Sequence, residues 1–214
     1  MDPRQFYNIA AADYDLRHES PATRLVRKKE KEMIENFSSG LILDFGCGSG
    51  HHLSPGFIGL DISEGMLRVS RKKSSLLVQA NEQIPFKNNS FATVHAFFTV
   101  LNMANPAKAA DEFFRVLKPG GLILLSVASI FENPGRKEKT FRASGSRLKI
   151  NLFSLEEIKS IFHEFSLEHF DSIFSSVRPE WGNFNQFSEA ELSLLEKERP
   201  SENARIYFLA FRKP

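Results

Sequence analysis

Residues 41–61 read Leu41-Ile42-Leu43-Asp44-Phe45-Gly46-Cys47-Gly48-Ser49-Gly50, then His51-His52-Leu53-Ser54-Pro55-Gly56, then Phe57-Ile58-Gly59-Leu60-Asp61. The apolar run Leu41 to Leu43 has the character of a strand buried on both faces of a parallel sheet. It ends on Asp44, and Gly46, Gly48 and Gly50 follow at alternate positions. A second apolar run, Phe57 to Leu60, ends on another carboxylate, Asp61. Two strand ends, each with an acid and one with a glycine-rich loop, describe a nucleoside site at the carboxyl edge of an open sheet. Glycine lets the backbone turn sharply and approach a ligand closely. An acid at the end of the next strand accepts hydrogen bonds from ribose hydroxyls. The spacing is Gly-x-Gly-x-Gly, unlike the Gly-x-Gly-x-x-Gly of pyrophosphate binders, and no Gly-Lys-Ser/Thr is present to form a P-loop.

The stretch Asp44-Phe45-Gly46-Cys47-Gly48-Ser49-Gly50 resembles the first motif of the class I S-adenosylmethionine-dependent methyltransferases, in particular their small type 11 domains. Asp61 falls where that family carries its ribose acid. The resemblance implies an α/β fold, a Rossmann-like, seven-stranded, mostly parallel sheet with helices on both faces. Its last strand would be antiparallel and inserted between strands five and six. It also implies S-adenosyl-L-methionine as cofactor and S-adenosyl-L-homocysteine as product. The cofactor contacts that carry over are Asp44, Phe45, Gly46, Cys47, Gly48 and Gly50 from the loop, with Asp61, Ile62 and Met66 just beyond. Asn81, Glu82, Phe97 and Tyr14 complete the set.

At 214 residues the chain is long enough to bury a full core in one domain. Lys plus Arg number 28 against 26 Asp plus Glu, a balance that neither demands nor excludes a nucleic-acid partner. A single cysteine, Cys47, rules out an internal disulfide and any Cys-cluster zinc site. In the glycine loop it reads as a small buried filler. No apolar run approaches the ~20 residues of a membrane span. The N-terminus does not look like a signal peptide, so a cytoplasmic enzyme is the expectation.

Residues 1–39 precede the first strand and read as a helical lid. Arg24 to Phe37 carries a partial apolar face among charges, with Ser20-Pro21 as its start. Ahead of it, Tyr7 to Asp15 is similar to the Tyr-Asp-x-x-Ala-x-x-Tyr-Asp opening of many small methyltransferases, where this segment covers the cofactor. Asn8 stands in place of the usual Asp. Between the first two strands Pro55-Gly56 breaks any helix, so a turn is expected there. His51 and His52 lie in that link and read either as solvated turn residues or as substrate contacts. Ser63 to Lys73 reads as a helix capped by Ser63, and Leu76 to Gln79 as the third strand.

Ala80 to Phe91 resembles the family's Asp-Ala-Glu-x-Leu-Pro-Phe-x-Asp-x-Ser-Phe stretch, except that Ala80 replaces the adenine-recognising Asp. Asn81 stands in for it. Ala92 to Phe98 is a nearly continuous apolar strand, within which His95 reads as a core histidine. Pro106 to Leu117 is a helix closed by Lys118-Pro119-Gly120-Gly121, and Leu122 to Val127 is the fifth strand. Residues 131–149 turn basic, with Arg142 and Arg147 among Gly and Ser, and read either as a solvated, mobile loop or as a loop able to hold phosphate or carboxylate groups. Segments 131–149 and 175–203 read as substrate-side insertions. Ser154 with Glu157 forms a capping box. Phe165 to Phe174 and Ile206 to Phe211 are the last two strands.

Methyl transfer needs alignment of donor and acceptor more than it needs acid–base help. No catalytic residue follows from the motifs, although Asp15, His18, His51 and His52 are possible bases, and no metal-ligand cluster is visible. The acceptor reads as a small molecule, with a wobble-uridine tRNA as the alternative. A binding module that has lost transfer is the third reading, favoured by Ala80.

Overall fold

The computed structural model describes residues 1–70, 76–79, 83–133, 135–175, 188–195, 197 and 199–214. In chain order the regular elements are helices α1 (Pro3–Ala10), α2 (Tyr14–Arg17) and α3 (Pro21–Phe37), then β1 (Ile42–Phe45), β2 (Ile58–Asp61), α4 (Glu64–Ser70), β3 (Leu76–Gln79) and β4 (Phe91–Phe97). They continue with α5 (Pro106–Val116), β5 (Leu117–Ala128), β6 (Glu138–Ala143), β7 (Ser146–Asn151), α6 (Leu155–Ile161), β8 (Ser166–Ile173), α7 (Glu189–Leu195) and β9 (Ile206–Arg212).

Seven strands form one sheet in the order β3-β2-β1-β4-β5-β9-β8. The first five are parallel, and β9 runs antiparallel between β5 and β8. This is the Rossmann-like arrangement that the sequence implies, including the inserted last strand. The order reverses between β1 and β4, and a crevice opens beyond the carboxyl ends of the strands at such a switch point. Asp44 and Asp61, at the ends of β1 and β2, therefore stand side by side on that edge.

The two core layers follow from alternation along β5 and β9. Leu122 and Leu124, with Phe208 and Ala210, face Ala22, Leu25, Val26 and Met33 of α3. Ile123 and Leu125, with Leu209 and Phe211, face the other way, onto Phe113 of α5 and Ile158 of α6. Each fully buried side chain of this size contributes about 1.5–3 kcal/mol. The helix α3 starts where Ser20 Oγ accepts the Thr23 N–H at 3.2 Å and Pro21 takes the first turn. Its inner face also buries Glu30, at 3% exposure.

The basic segment differs from the loop expected of it. Residues 138–151 form an antiparallel hairpin, β6–β7, with Arg142 opposite Arg147. Ser144 and Gly145, at φ 48° and 76°, make the two-residue turn, the primed kind that suits the twist of paired strands. Ala143 and Leu148 pack on Phe6 and Ala10 of α1. The hairpin and the N-terminal helices are thus one layer across the carboxyl edge. Of the 175–203 insertion, residues 176–187 lie outside the described residues, as do Arg71 to Lys73 at the end of the helix expected over Ser63 to Lys73.

Candidate functional site

The glycine loop folds back onto the end of β2, where Gly46 N–H and Cys47 N–H both donate to Leu60 C=O at 2.7 and 3.0 Å. Gly46 sits at φ 74°, and a Cβ there would lie 2.3 Å from Thr99 Oγ1. Only glycine fits. Thr99 Oγ1 in turn donates to Phe45 C=O at 3.0 Å, which fixes the end of β4 against the loop. Cys47 packs with Leu53 and Leu67. Burial pushes its thiol well up, so it serves as the neutral filler its position suggests.

The two carboxylates differ in their surroundings. Asp61 is held by the backbone: Oδ2 accepts the Gly48 N–H at 2.9 Å and Oδ1 the Ser63 N–H at 2.8 Å. Burial raises its pKa, and these N–H bonds offset part of the rise. Each oxygen keeps acceptor capacity for a hydroxyl. Asp44, 3% exposed, has no hydrogen-bond donor among the described residues and lines a cavity. Burial raises its pKa to about 7, with His52 pulling down and Asp61 and Glu30 pushing up. A buried carboxylate without a donor is costly, and a cation beside it removes that cost.

The N-terminal helices are tied across both strand ends. Asn8 Oδ1 accepts from Ser63 Oγ at 2.8 Å and from Gly65 N–H at 2.9 Å, so α1 lies over the junction of β2 and α4. The amide thus takes the acceptor part of the acid usual here. Asp15 Oδ1 accepts from Ser49 Oγ at 2.5 Å and lies 2.9 Å from His51 Nε2. His51 Nε2 is also 2.8 Å from an Arg27 guanidinium nitrogen.

Beneath this layer lies a cavity of about 510 Å³. Asp44, Gly46, Gly48 and Ser49 line one end, while Tyr7, Tyr14, His18 and Phe141 line the lid side. These rings touch in series: Tyr7 to Tyr14 at 6.1 Å, Tyr14 to His18 at 4.1 Å, and His18 to Phe141 at 5.7 Å between centroids. Burial raises the Tyr14 hydroxyl to about 12. Phe98 and Phe174, which also line the cavity, hold left-handed backbones at φ 51° and 66°. Such strain in bulky residues collects at functional sites. In the wall, His52 Nε2 meets Glu30 Oε2 at 2.8 Å, and Ser126 Oγ donates to Glu30 Oε1 at 2.5 Å. His95 is fully buried, bonded to Ser38 Oγ at 2.8 Å and held neutral with a pKa lowered to about 3 by burial. That is a core histidine.

Of the residues the sequence singles out, Asp44, Gly46, Cys47, Gly48, Phe97 and Tyr14 come together on the cavity. Asp61 stands behind Gly48 and is not among the lining residues. Ile62 takes a hydrogen bond from the Gln79 side chain at 3.3 Å, and Met66 is buried with its N–H on Ser63 Oγ at 3.1 Å. Phe45 and Gly50 support the loop from below. Ala80, Asn81 and Glu82 lie outside the described residues. Glu30 was not singled out, because it sits in a charge-rich helix. Its position relative to Val26 and Met33, four and three residues away on the apolar face, is the signal that marks it. Among the described residues no group of three His, Cys, Asp or Glu is placed to hold a metal ion.

The model of a family described as a methyltransferase domain matches residues 43–125, the segment from β1 through the core of β5. By this matched segment and by the order of its sheet, the chain is similar to the class I S-adenosylmethionine-dependent methyltransferases. It is 34% identical over 138 residues to an uncharacterized protein of Methanocaldococcus jannaschii, covering 62% of this chain and 54% of that one. It is 31% identical over 147 residues to the demethylmenaquinone methyltransferase of Symbiobacterium thermophilum, covering 59% of each. The chain thus spans between half and two thirds of these relatives' lengths. A Thermotoga maritima structure, described as a methyltransferase and possible histamine N-methyltransferase, superposes with a TM-score of 0.75. The match is at 18% identity and covers 99% of both chains, a likeness of fold.

The matched family model and the fold imply S-adenosylmethionine as cofactor, and residues present here fit it. Its cationic ammonium and sulfonium suit the donorless carboxylate of Asp44. Its close approach suits a loop in which a Cβ at Gly46 would clash.

Proposed function

We propose that the protein is an S-adenosylmethionine-dependent methyltransferase that acts on a small aromatic acceptor. The carrying observation is that one cavity is lined both by the glycine loop with Asp44 and by Tyr7, Tyr14, His18 and Phe141. In this reading Asp44, the Gly46–Gly50 loop and Asp61 hold the cofactor, with Tyr14 and Phe97 beside its reacting end. The bound cofactor supplies an activated methyl group. The protein then has to align the acceptor, exclude water and, where the acceptor carries a proton, remove it. A planar ring gains contact on aromatic walls at little entropic cost. The demethylmenaquinone methyltransferases among the relatives support a small acceptor. The same proposal takes residues 1–214 as one methyltransferase domain, with residues 1–39 as lid, 131–149 and 175–203 as acceptor-side insertions, and a cytoplasmic location. Among the described residues no helix is long and apolar enough to cross a membrane.

Calorimetry with S-adenosylmethionine and S-adenosylhomocysteine tests the cofactor reading. Wild type binds both, and Asp61→Ala weakens binding by at least about tenfold, the worth of a charge-assisted hydrogen bond. Failure of wild type to bind either leaves a fold without its activity, which is the binding-module reading's own failure as well.

One observation favours a tRNA acceptor as the second reading. Arg142 and Arg147 face each other across β6 and β7, and like charges in that position repel unless an anion bridges them. Binding of bulk tRNA with a steep inverse dependence on salt, lost in Arg142→Glu/Arg147→Glu, supports this reading. Flat salt dependence removes it.

A further inference from the structure

The geometry points to His52 as the general base that takes a hydroxyl proton from the methyl acceptor, with Glu30 as the residue that positions it. This rests on the methyltransferase reading and extends it to the acceptor's chemical class, an aromatic hydroxyl compound. His52 Nε2 lies 2.8 Å from Glu30 Oε2, and Ser126 Oγ anchors the other carboxylate oxygen at 2.5 Å. A carboxylate can only accept, so Nε2 carries the hydrogen and neutral His52 presents its lone pair at Nδ1. Nδ1 has no hydrogen-bond partner among the described residues, and His52 lines the cavity that Asp44 and the glycine loop enter.

The three groups come from separate parts of the chain. Glu30 is on α3, His52 in the link between β1 and β2, and Ser126 near the carboxyl end of β5. Glu30 is 3% exposed and Ser126 is fully buried. A buried ion pair is weak evidence of a stabilising role, and this one belongs to a histidine that also lines the cavity. The ring of Phe97 lies 5.0 Å from that of His52 and fixes its plane. The charged or titratable groups facing His52 are Glu30 and Arg27 from α3, Asp44 from β1 and His95 from β4. Burial works against its charge, while Glu30 and Asp44 more than offset that and raise its pKa above 6.5.

In the step itself, Nδ1 takes the acceptor O–H proton as the oxygen electron pair forms the new C–O bond to the methyl carbon. The carbon–sulfur pair stays on sulfur, leaving a neutral thioether. The positive charge passes from sulfonium to the His52 imidazolium, which Glu30 faces.

The test combines three measurements on wild type, His52→Gln and Glu30→Gln. Diethyl pyrocarbonate acylation, read residue by residue by mass spectrometry against pH, reports whether Nδ1 is open. His52 is acylated in wild type, with a pH midpoint that falls in Glu30→Gln. Calorimetry with S-adenosylhomocysteine gives affinities within about threefold of wild type for both variants, since neither side chain holds the cofactor in this proposal. Methyl transfer to 1-naphthol at about pH 7 falls by about 100-fold or more in His52→Gln, the usual worth of a general base. The deficit shrinks at about pH 9, where the naphthol hydroxyl ionises unaided. Inert His52 in wild type, transfer within threefold of wild type in His52→Gln, or an equal deficit at both pH values overturns the proposal. If wild type does not methylate 1-naphthol, the acylation result alone decides. Loss of homocysteine-product binding by wild type would instead strike the cofactor reading, with the acylation result still standing.

Discussion

The buried carboxylate of Asp44 makes the protein's stability depend on pH in a direction that can be measured. Its pKa rises from 3.8 to about 7 in the folded chain, burial being the largest cause. A raised carboxyl contributes stability that is fully present below its unfolded pKa of 3.8 and is lost as pH rises through about 7. At 1.36 kcal/mol per pH unit the loss comes to at most about 4 kcal/mol. Asp44→Asn keeps the shape and cannot ionise. By urea unfolding without ligand, wild type should match the variant near pH 4 and fall behind by about 1.4 kcal/mol per unit up to about pH 7. Above that the two curves run parallel. In thermal scans the full gap corresponds to about 8–16 °C for a chain of this size. The difference between variants removes most of the titration of His52 and Asp61, whose folded pKa values are also raised. Saturating S-adenosylmethionine should shrink the pH dependence of wild type, because a cation beside Asp44 restores the charged form, and should leave the variant's unchanged. Parallel curves for wild type and Asp44→Asn between pH 4 and 7 would refute the assignment of this carboxylate as a donorless, cation-seeking group.

Three further expectations follow from particular contacts. Gly46→Ala forces φ 74° on a residue with a Cβ and sets that Cβ 2.3 Å from Thr99 Oγ1. A loss of about 2–4 kcal/mol in urea unfolding is expected, partly recovered by adding Thr99→Ala. Lys213 Nζ donates to Phe114 C=O, Leu117 C=O and Asn89 Oδ1 at 2.7, 2.8 and 3.1 Å, and stands 4.5 Å over the Phe114 ring. Lys213→Met removes the ammonium donor from one carbonyl in the last turn of α5 and from another just after it, and should cost about 2–3 kcal/mol, measured the same way. Asp15→Asn weakens the tie from α2 to Ser49 and His51. Tryptic cleavage within residues 1–20 should quicken by about fivefold, as about 1 kcal/mol of local stability is lost, with global unfolding unchanged.

Much of the site is legible in the chain because it is local. Asp44, the glycines and Asp61 fall within one strand–loop–strand unit, and the parallel register of β1 and β2 follows directly from their apolar runs. The fold is equally legible, since the alternation of strands and helices leaves few ways to close a sheet. The hairpin at 138–151 is harder to see. Its strands are polar on the outer face, and only Ser144-Gly145 between alternating residues betrays the turn.

The amino-acid order alone thus determined a glycine-rich sheet edge with two acids, because backbone conformation and strand burial are set by neighbours in sequence. The tertiary structure decided which charges meet. Glu30 reaches His52 across 22 residues and Ser126 across 96, and Asp15 meets the glycine loop only because α2 is laid over it. It also decided that Asp61 is clasped by amides while Asp44 has no donor among the described residues. Burial and partner choice are properties of the packed interior, and no reading along the chain contains them.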